Sequence, residues 1–342
     1  MLDQALREYL ERLQFSDQER IILIDQLPVG YGGQLSRRLL GLKIGLALDR
    51  KAIFLNDADL PYTQSICRLF SWPHDLKRAI DAPLVELFAS DVRSLVRFDY
   101  FAMMGRLRPS GLTVEEWVQG LLTEKLKLTS DDLRKLDGWM IGSLRFVPDF
   151  EKRLGADVAR LGVSREVLGV HIRRGDKKVE TAYVPPKRIN DAIDSIYSIW
   201  KFGGVFVATD DARALRDLRL PPGVCLLFDQ DEIRYNNANH KMLLATPAMA
   251  SQETYVAFKN FRLLCECGGI VGQDNAHFAT LAASYVFNRD SNAERIRLID
   301  PNHGSRVILL LSRLKWHFRT IVKAIVPRSI LVRLDRIIHR RR

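Results

Sequence analysis

The feature that most constrains the fold of this chain is a series of short apolar runs that alternate with amphipathic segments of helical length. Each run has the length of a buried strand, and the segments between them repeat apolar residues at helical spacing. Such an alternation favours parallel sheets covered by helices. Strands are predicted at residues 20–25, 51–56, 167–172, 204–209, 224–229, 268–273 and 295–300.

The length of 342 residues predicts two domains of roughly 150 residues each. The sequence of residues 58–155 is mostly typical of helices. It contains turn residues at 108–111 and a predicted domain boundary at 145–150. We therefore predict an N-terminal domain over 1–150 and a C-terminal domain over 151–303. The four cysteines lack the spacing of a zinc site and are predicted to be reduced thiols in the core.

The net charge of +11 is concentrated in residues 304–342, which hold eleven Lys and Arg and one acid. The rest of the chain is nearly neutral and has no RNA-recognition or zinc-finger signature, so we do not expect it to bind nucleic acid. In the tail, apolar and basic residues alternate as in a helix that lies on an anionic membrane surface. The alternative is a helix that packs its apolar side on the body of the protein.

The N-terminus shows helical spacing with mixed charge and lacks the basic start and apolar run of a secretory signal. Together with the basic tail, this predicts a cytoplasmic protein that is peripheral to the inner face of the plasma membrane.

The first candidate site follows the strand at 20–25, because ligands of open parallel sheets bind outside the carboxyl ends of the strands. Gly30, Gly32 and Gly33 precede a helix predicted to begin near Gln34. Glycines at such a place let backbone N–H groups approach a phosphate at the helix N-terminus. Neither of the common phosphate-loop motifs is present, so a tight strand-to-helix turn is an equally good interpretation.

The second candidate site is the charged stretch that follows the strand at 167–172. Arg173 and Arg174 offer forks of donors that suit a pyrophosphate and can neutralise it when it leaves. The alternative is a surface ion pair between one of these arginines and Asp176.

Two acidic pairs follow later strands. Asp210 and Asp211 stand between a strand and a helix, where either could be the helix N-cap. Asp229 and Asp231 have the D-x-D spacing that metal-dependent glycosyltransferases use, and carboxylates suit hard cations. Because this spacing is common by chance, a metal site there stays an alternative.

In their order along the chain, several motifs resemble those of the α1,6-fucosyltransferases and the wider fucosyltransferase superfamily. They are GYGGQL (30–35), GVHIRRGDK (169–177), ETAYVP (180–185), VATDD (207–211) and GGIVGQDNAHFATLAAS (268–284). The resemblance implies two facing Rossmann-like domains in a GT-B-like fold. It also implies GDP-fucose as donor, inversion at the anomeric carbon, a glycan or glycolipid acceptor, and no metal or other cofactor. The basic tail suits a bacterial enzyme of polysaccharide biosynthesis.

By the same resemblance, Glu180 is the expected general base, and Lys177 and Asp210 are expected to polarise it. Arg173 is expected to bind the β-phosphate of the donor, and His171 its guanosine. The remaining donor-binding positions are expected to be Gly32, Gly33, Gln34, Arg174, Asp176, Asp211 and His277.

The chain departs from the family in the part that binds the base. The family has a guanine-binding aspartate shortly before the GGIVG strand, but here no acid lies between Glu253 and Glu266, and Lys259 is near its place. The family's Ser-Gln pair after that strand is replaced by Ala276 and His277. Two other functions therefore stay open. One is a metal-dependent glycosyltransferase that uses another nucleotide sugar, and the other is a non-catalytic membrane-associated adaptor of the same fold.

Overall fold

The computed structural model describes residues 3–15, 20–25, 29–55, 69–72, 75–76, 95–174, 183–232 and 246–301. Elements up to residue 146 are α1 (Gln4–Phe15), β1 (Ile21–Asp25), α2 (Tyr31–Ala47), β2 (Lys51–Leu55), β3 (Phe70–Trp72), β4 (Asp75–Leu76), β5 (Leu95–Phe98), α3 (Tyr100–Leu107), α4 (Val114–Leu126), α5 (Ser130–Ser143) and β6 (Arg145–Phe146). Later elements are α6 (Pro148–Leu161), β7 (Val167–Ile172), α7 (Pro186–Ile199), β8 (Gly204–Thr209), β9 (Cys225–Leu227), α8 (Pro247–Glu266), β10 (Gly269–Gln273), α9 (His277–Asp290) and β11 (Ile296–Ile299).

The first sheet has the strand order β4-β2-β1-β5, and all of its pairings are parallel. The central strand β1 is the apolar sequence IILID, whose three middle residues are buried. A strand with helices on both faces of its sheet needs such a continuous apolar run. The chain passes from β1 to β2 through the long helix α2, as in a βαβ unit.

The second sheet has the order β11-β10-β7-β8-β9 and is also parallel throughout. The chain builds β7, β8 and β9 outward in one direction and then returns to place β10 on the other side of β7. This is the doubly wound order, and the reversal between β7 and β10 is its topological switch point.

Sequence signals explain where several helices begin. α4 and α5 both start at capping boxes, in which Thr113 pairs with Glu116 and Thr129 pairs with Asp132. α3 starts where the Asp99 side chain accepts a hydrogen bond of 2.8 Å from the Ala102 N–H.

The hydrophobic core runs continuously between the two sheets. The antiparallel pair of β3 and β6 lies within it, where Phe146 stacks on Phe70 and Phe150 with ring centroids 4.9 and 4.6 Å apart. Helix α5 packs so closely on α9 that a side chain at Gly138 would overlap the carbonyl oxygen of Ser284. The domain boundary near residue 150 stays a prediction.

The predicted parallel α/β architecture is confirmed, with one wrong prediction and some strands that were not predicted. Over its described part, the segment 58–155 is mostly helical as predicted, but it also contains unpredicted strands such as β5 at Leu95–Phe98, which pairs with β1. Cys225 is exposed instead of lying in the core, whereas Cys265 and Cys267 are buried as predicted. The basic tail lies outside the described residues. Among the helices of the described residues, none has both the length and the apolar character needed to cross a membrane.

Candidate active site

The carboxyl ends of β7 and β10 meet at the switch point of the second sheet. A Cβ added at Gly272 would lie 3.5 Å from the Cβ of His171, and the Arg173 N–H donates to Gln273 Oε1 over 3.3 Å. In doubly wound sheets, ligands bind in the crevice outside this point. His171 and Arg173 therefore lie where the fold favours a ligand.

Two helix N-termini meet beside this crevice. α2 and α9 begin after Gly30 and Ala276, and neither helix has a side-chain cap. A Cβ added at Gly32 would lie only 3.1 Å from the Cβ of His277, so the first turns of the two helices are in close contact. Because the first N–H groups of a helix lack intrahelical acceptors and carry partial positive charge, this contact creates a region suited to anions.

The start of α2 differs from its prediction. The helix begins at Tyr31 and not near Gln34, so Gly32 and Gly33 lie in its first turn and not in a preceding loop. The space taken by His277 explains why a residue without a side chain is needed at Gly32. The buried Gln34 donates from Nε2 to the Val29 carbonyl oxygen over 2.7 Å, which ties the helix to the segment before it.

Asp210 connects the ends of β7 and β8. Its Oδ2 lies 2.7 Å from Arg173 Nη1, and its Oδ1 accepts a hydrogen bond of 2.8 Å from the Arg174 N–H. The Arg174 side chain instead pairs with Asp217 at 2.9 Å. Asp210 thus orients the Arg173 guanidinium. Its predicted relay with Lys177 stays a prediction, because Lys177 lies outside the described residues.

Asp211 has the helix-capping role that was one of the two alternatives for this acidic pair. It precedes the short 3₁₀ helix Ala212–Asp217, and its Oδ1 accepts from the Arg213 N–H over 3.1 Å. The hydrogen bond from the Arg213 side chain lowers the pKa of Asp211, so this carboxylate stays ionised. Its predicted contact with the donor stays a prediction.

His171 is a neutral imidazole in the crevice. Burial, with a smaller contribution from Arg173, lowers its pKa to about 3. Its Nδ1 is buried and has no hydrogen-bond partner among the described residues. A buried polar atom without a partner favours a ligand that would supply one.

Asp229 belongs to a network of ion pairs. Its Oδ2 lies 2.6 Å from both Arg160 Nη2 and Lys259 Nζ, and Lys259 also pairs with Glu232 at 2.5 Å. Burial by itself would raise the pKa of Asp229, but the hydrogen bonds from Arg160 and Lys259 lower it to about 2. Because two cations already neutralise this carboxylate, the geometry favours an ion-pair network over a metal site at Asp229 and Asp231. Within the described part of the chain, no group of three or more His, Cys, Asp or Glu could hold a metal ion.

Glu253 is a site residue that the sequence analysis did not identify. It lies on α8, and its partly buried carboxyl is close enough to Arg173 and Asp210 to interact with them electrostatically. Burial raises the pKa of Glu253 to about 8, with a further increase from the nearby Glu232. A glutamate on an amphipathic helix resembles a solvated charge, and only the absence of other acids in the following twelve positions, up to Glu266, singles it out.

The structure brings many of the predicted site residues to one place and leaves three undescribed. Glu180, Lys177 and Asp176 lie outside the described residues. Around the crevice lie His171, Arg173, Arg174, Asp210, Asp211, Gly32, Gly33 and His277.

Comparisons with known proteins find similarity at the level of structure alone. No protein-family model and no sequence of a curated protein matches the chain. The fucosyltransferase NodZ from Bradyrhizobium has 11% identity and a TM-score of 0.48, over 77% of this chain and 92% of that chain. POFUT1 in complex with GDP-fucose has 10% identity and a TM-score of 0.43, over 84% and 99%. A mutant of Arabidopsis thaliana FUT1 in complex with GDP has 12% identity and a TM-score of 0.46, over 83% of this chain and 73% of that chain. These values are too low to assign a function.

Proposed function

We propose that the protein is an inverting glycosyltransferase that transfers L-fucose from GDP-fucose to a hydroxyl of a glycan or glycolipid. The observation that carries this proposal is the position of Arg173, at the switch point of a doubly wound sheet and beside a crevice edged by two uncapped helix N-termini. The order of sequence motifs that resembles the fucosyltransferases supports the choice of donor.

The donor diphosphate would lie against the first turns of α2 and α9. The first N–H groups of a helix have no intrahelical acceptor and can donate to phosphate oxygens, and the close contact at Gly32 lets both helices reach one ligand. Arg173 adds a fork of donors that its ion pair with Asp210 holds in position. The neutral His171, whose Nδ1 has no hydrogen-bond partner in the described part of the chain, would contact the nucleoside.

The reaction would be a single in-line displacement. The acceptor oxygen forms a bond to C1 of the sugar while the bond from C1 to the β-phosphate oxygen breaks, and the electron pair leaves with GDP. Arg173 stabilises the negative charge that develops on the departing phosphate, so the proposal includes no metal ion. Glu180 would accept the proton of the acceptor hydroxyl.

The two parallel sheets would correspond to the two Rossmann-like halves of a GT-B-like fold. The second sheet, with the switch point next to Arg173, would bind the nucleotide sugar. The first half would contribute the N-terminus of α2 and the acceptor side. The basic tail at 304–342 would hold the protein at the inner face of the plasma membrane, close to a lipid-linked acceptor.

The test is GDP binding and fucose transfer with and without EDTA, for the wild type and for Arg173→Ala. We expect binding that EDTA does not change, and a loss of transfer on the order of 10²–10³ or more in the variant. Arg145→Ala is the control, because Arg145 is an exposed arginine on β6 and lies outside the proposed site. Absence of GDP binding would favour the adaptor, and chelator-sensitive turnover would favour the metal-dependent transferase.

A further inference from the structure

Helix α3 has a buried face and an exposed apolar face. Met103 and Leu107 are buried in the core. On the other side, Phe101 is 58% exposed and Met104 is 47% exposed. Arg108 follows at helical spacing in the 3₁₀ turn that continues the helix and is also exposed, so these three side chains share one face. Large apolar side chains that lie together at the surface are typical of an interaction site.

This face, formed by Phe101, Met104 and Arg108, is called the α3 patch below. Residues 100–114 contain two arginines and no acid. The acids that flank this segment have partners within the fold: Asp99 accepts a hydrogen bond of 2.8 Å from the Ala102 N–H, and Glu115 pairs with Arg37. The α3 patch therefore combines apolar surface with positive charge.

The α3 patch is held close to the helix that edges the crevice. Arg37 of α2 stacks on the ring of Tyr100, with its Cζ 3.8 Å from the ring centroid, and the hydroxyl of Tyr100 donates to Glu115 of α4 over 3.3 Å. Arg37 lies five residues after Gly32, which corresponds to about 7–8 Å along the helix. A partner bound to the α3 patch would thus lie close to the N-terminus of α2.

We propose that the α3 patch docks the protein on the anionic surface of a lipid bilayer. Phe101 and Met104 insert at the boundary between headgroups and acyl chains, and the long side chain of Arg108 reaches a lipid phosphate. This contact belongs to the folded body and adds to any contact made by the basic tail at 304–342. It also brings the crevice near the lipid headgroups.

Size and charge favour a bilayer over a second copy of the chain. A stable protein interface buries about 800 Å² on each partner, which three side chains do not supply. Lipid contact needs no such minimum, because the contributions of separate membrane contacts add. A two-fold contact between two α3 patches would also bring Arg108 of each copy toward the other, whereas an anionic bilayer has the opposite charge.

The first experiment tests insertion of this position directly in the full chain. Phe101→Trp adds a fluorophore to the α3 patch, and Ile199→Trp is the matched control, because Ile199 is 53% exposed at the end of α7. Each variant is mixed with vesicles of phosphatidylcholine and phosphatidylglycerol, with or without bromine on the acyl chains. We expect bromine to quench most of the emission that Phe101→Trp adds to the wild type and to leave the emission added by Ile199→Trp unchanged.

The second experiment measures the affinity for the same vesicles without bromine. The double variant Phe101→Ser with Met104→Ser should bind at least about tenfold more weakly than the wild type, and Ile199→Ser should bind as the wild type does. Arg108→Gln should bind the anionic vesicles about fivefold more weakly and should not change binding to phosphatidylcholine alone. The tail is present in every variant, so its contribution cancels in these ratios.

Three results would overturn the proposal. The first is a full chain that does not bind the anionic vesicles. The second is a vesicle-bound Phe101→Trp variant whose added emission is not quenched, because the protein would then bind through another surface such as the tail. The third is a wild-type dimer that the double variant dissociates in the absence of lipid, which would make the α3 patch a contact between copies. Because none of these measurements involves GDP or transfer, they are independent of the test of the proposed function.

Discussion

Replacing Asp210 by Asn should show whether Asp210 holds Arg173 in position or only adds negative charge near it. In the wild type, both carboxylate oxygens are used: one accepts from the Arg174 N–H at 2.8 Å and the other pairs with Arg173 at 2.7 Å. The amide of the variant can keep one of these contacts, but it presents an NH₂ group or a weaker acceptor to the guanidinium of Arg173.

The magnitude follows from the burial of the two partners. The Asp210 side chain is only 8% exposed, and a lost hydrogen bond to a charged group costs about 1.5–3 kcal/mol. Because Arg173 is 27% exposed, water can solvate its charge in part, so we expect a loss of about 2 kcal/mol in the free energy of unfolding. The Kd for GDP should rise as well, since Arg173 is no longer held in position.

The assay is urea denaturation together with GDP titration, and Asp217→Asn is the matched control. Asp217 pairs with Arg174 but is 44% exposed, so its removal should cost no more than about 1 kcal/mol. If both variants lose the same stability and the same affinity for GDP, Asp210 has no special role in orienting Arg173, and this reasoning is wrong.

Three further variants test other parts of the structure. Gly32→Val should weaken GDP binding by at least about tenfold by separating the starts of α2 and α9, whereas Gly105→Ala, with nothing within 4 Å of the added Cβ, should leave binding unchanged. Because the folded pKa of Glu253 is raised from 4.5 to about 8, the native state keeps a proton that the unfolded state has lost, and wild-type stability should decrease as the pH rises through this range. Thermal melts should therefore show Glu253→Gln gaining on the wild type between pH 5.5 and pH 8.5, and an equal difference at both pH values would contradict this. Deleting residues 304–342 should move the protein from the membrane to the soluble fraction and leave transfer to a soluble acceptor intact, and an insoluble or inactive product would favour a tail packed on the body.

The sequence predicts the central strands of the second sheet well because their pattern is set by burial alone. β7 and β8 have the predicted bounds, and their residues are almost all buried, which only an uninterrupted apolar run allows. By contrast, β5 was missed because it has four residues and includes Arg97. That charge is tolerated because Arg97 pairs with Asp25 of the neighbouring β1 at 2.8 Å, a partner that is distant in sequence.

In the candidate site too, the sequence does not predict environments that depend on residues distant along the chain. The arginines after β7 and the aspartates after β8 were found because strand ends can be identified from the sequence. The roles of Asp229 and Glu253 depend on side chains from other elements. Arg160 and Lys259 turn a D-x-D spacing into an ion-pair network. Burial, with a smaller contribution from Glu232, raises the pKa of the helical Glu253. Neither environment has a local sequence pattern.

The most direct test of the central claim is a crystal structure of the protein with GDP. We predict that the diphosphate lies at the N-termini of α2 and α9, with the Arg173 guanidinium within hydrogen-bond distance of the β-phosphate and the guanosine next to His171. GDP bound elsewhere, or no GDP at a concentration well above a measured Kd, would contradict the account.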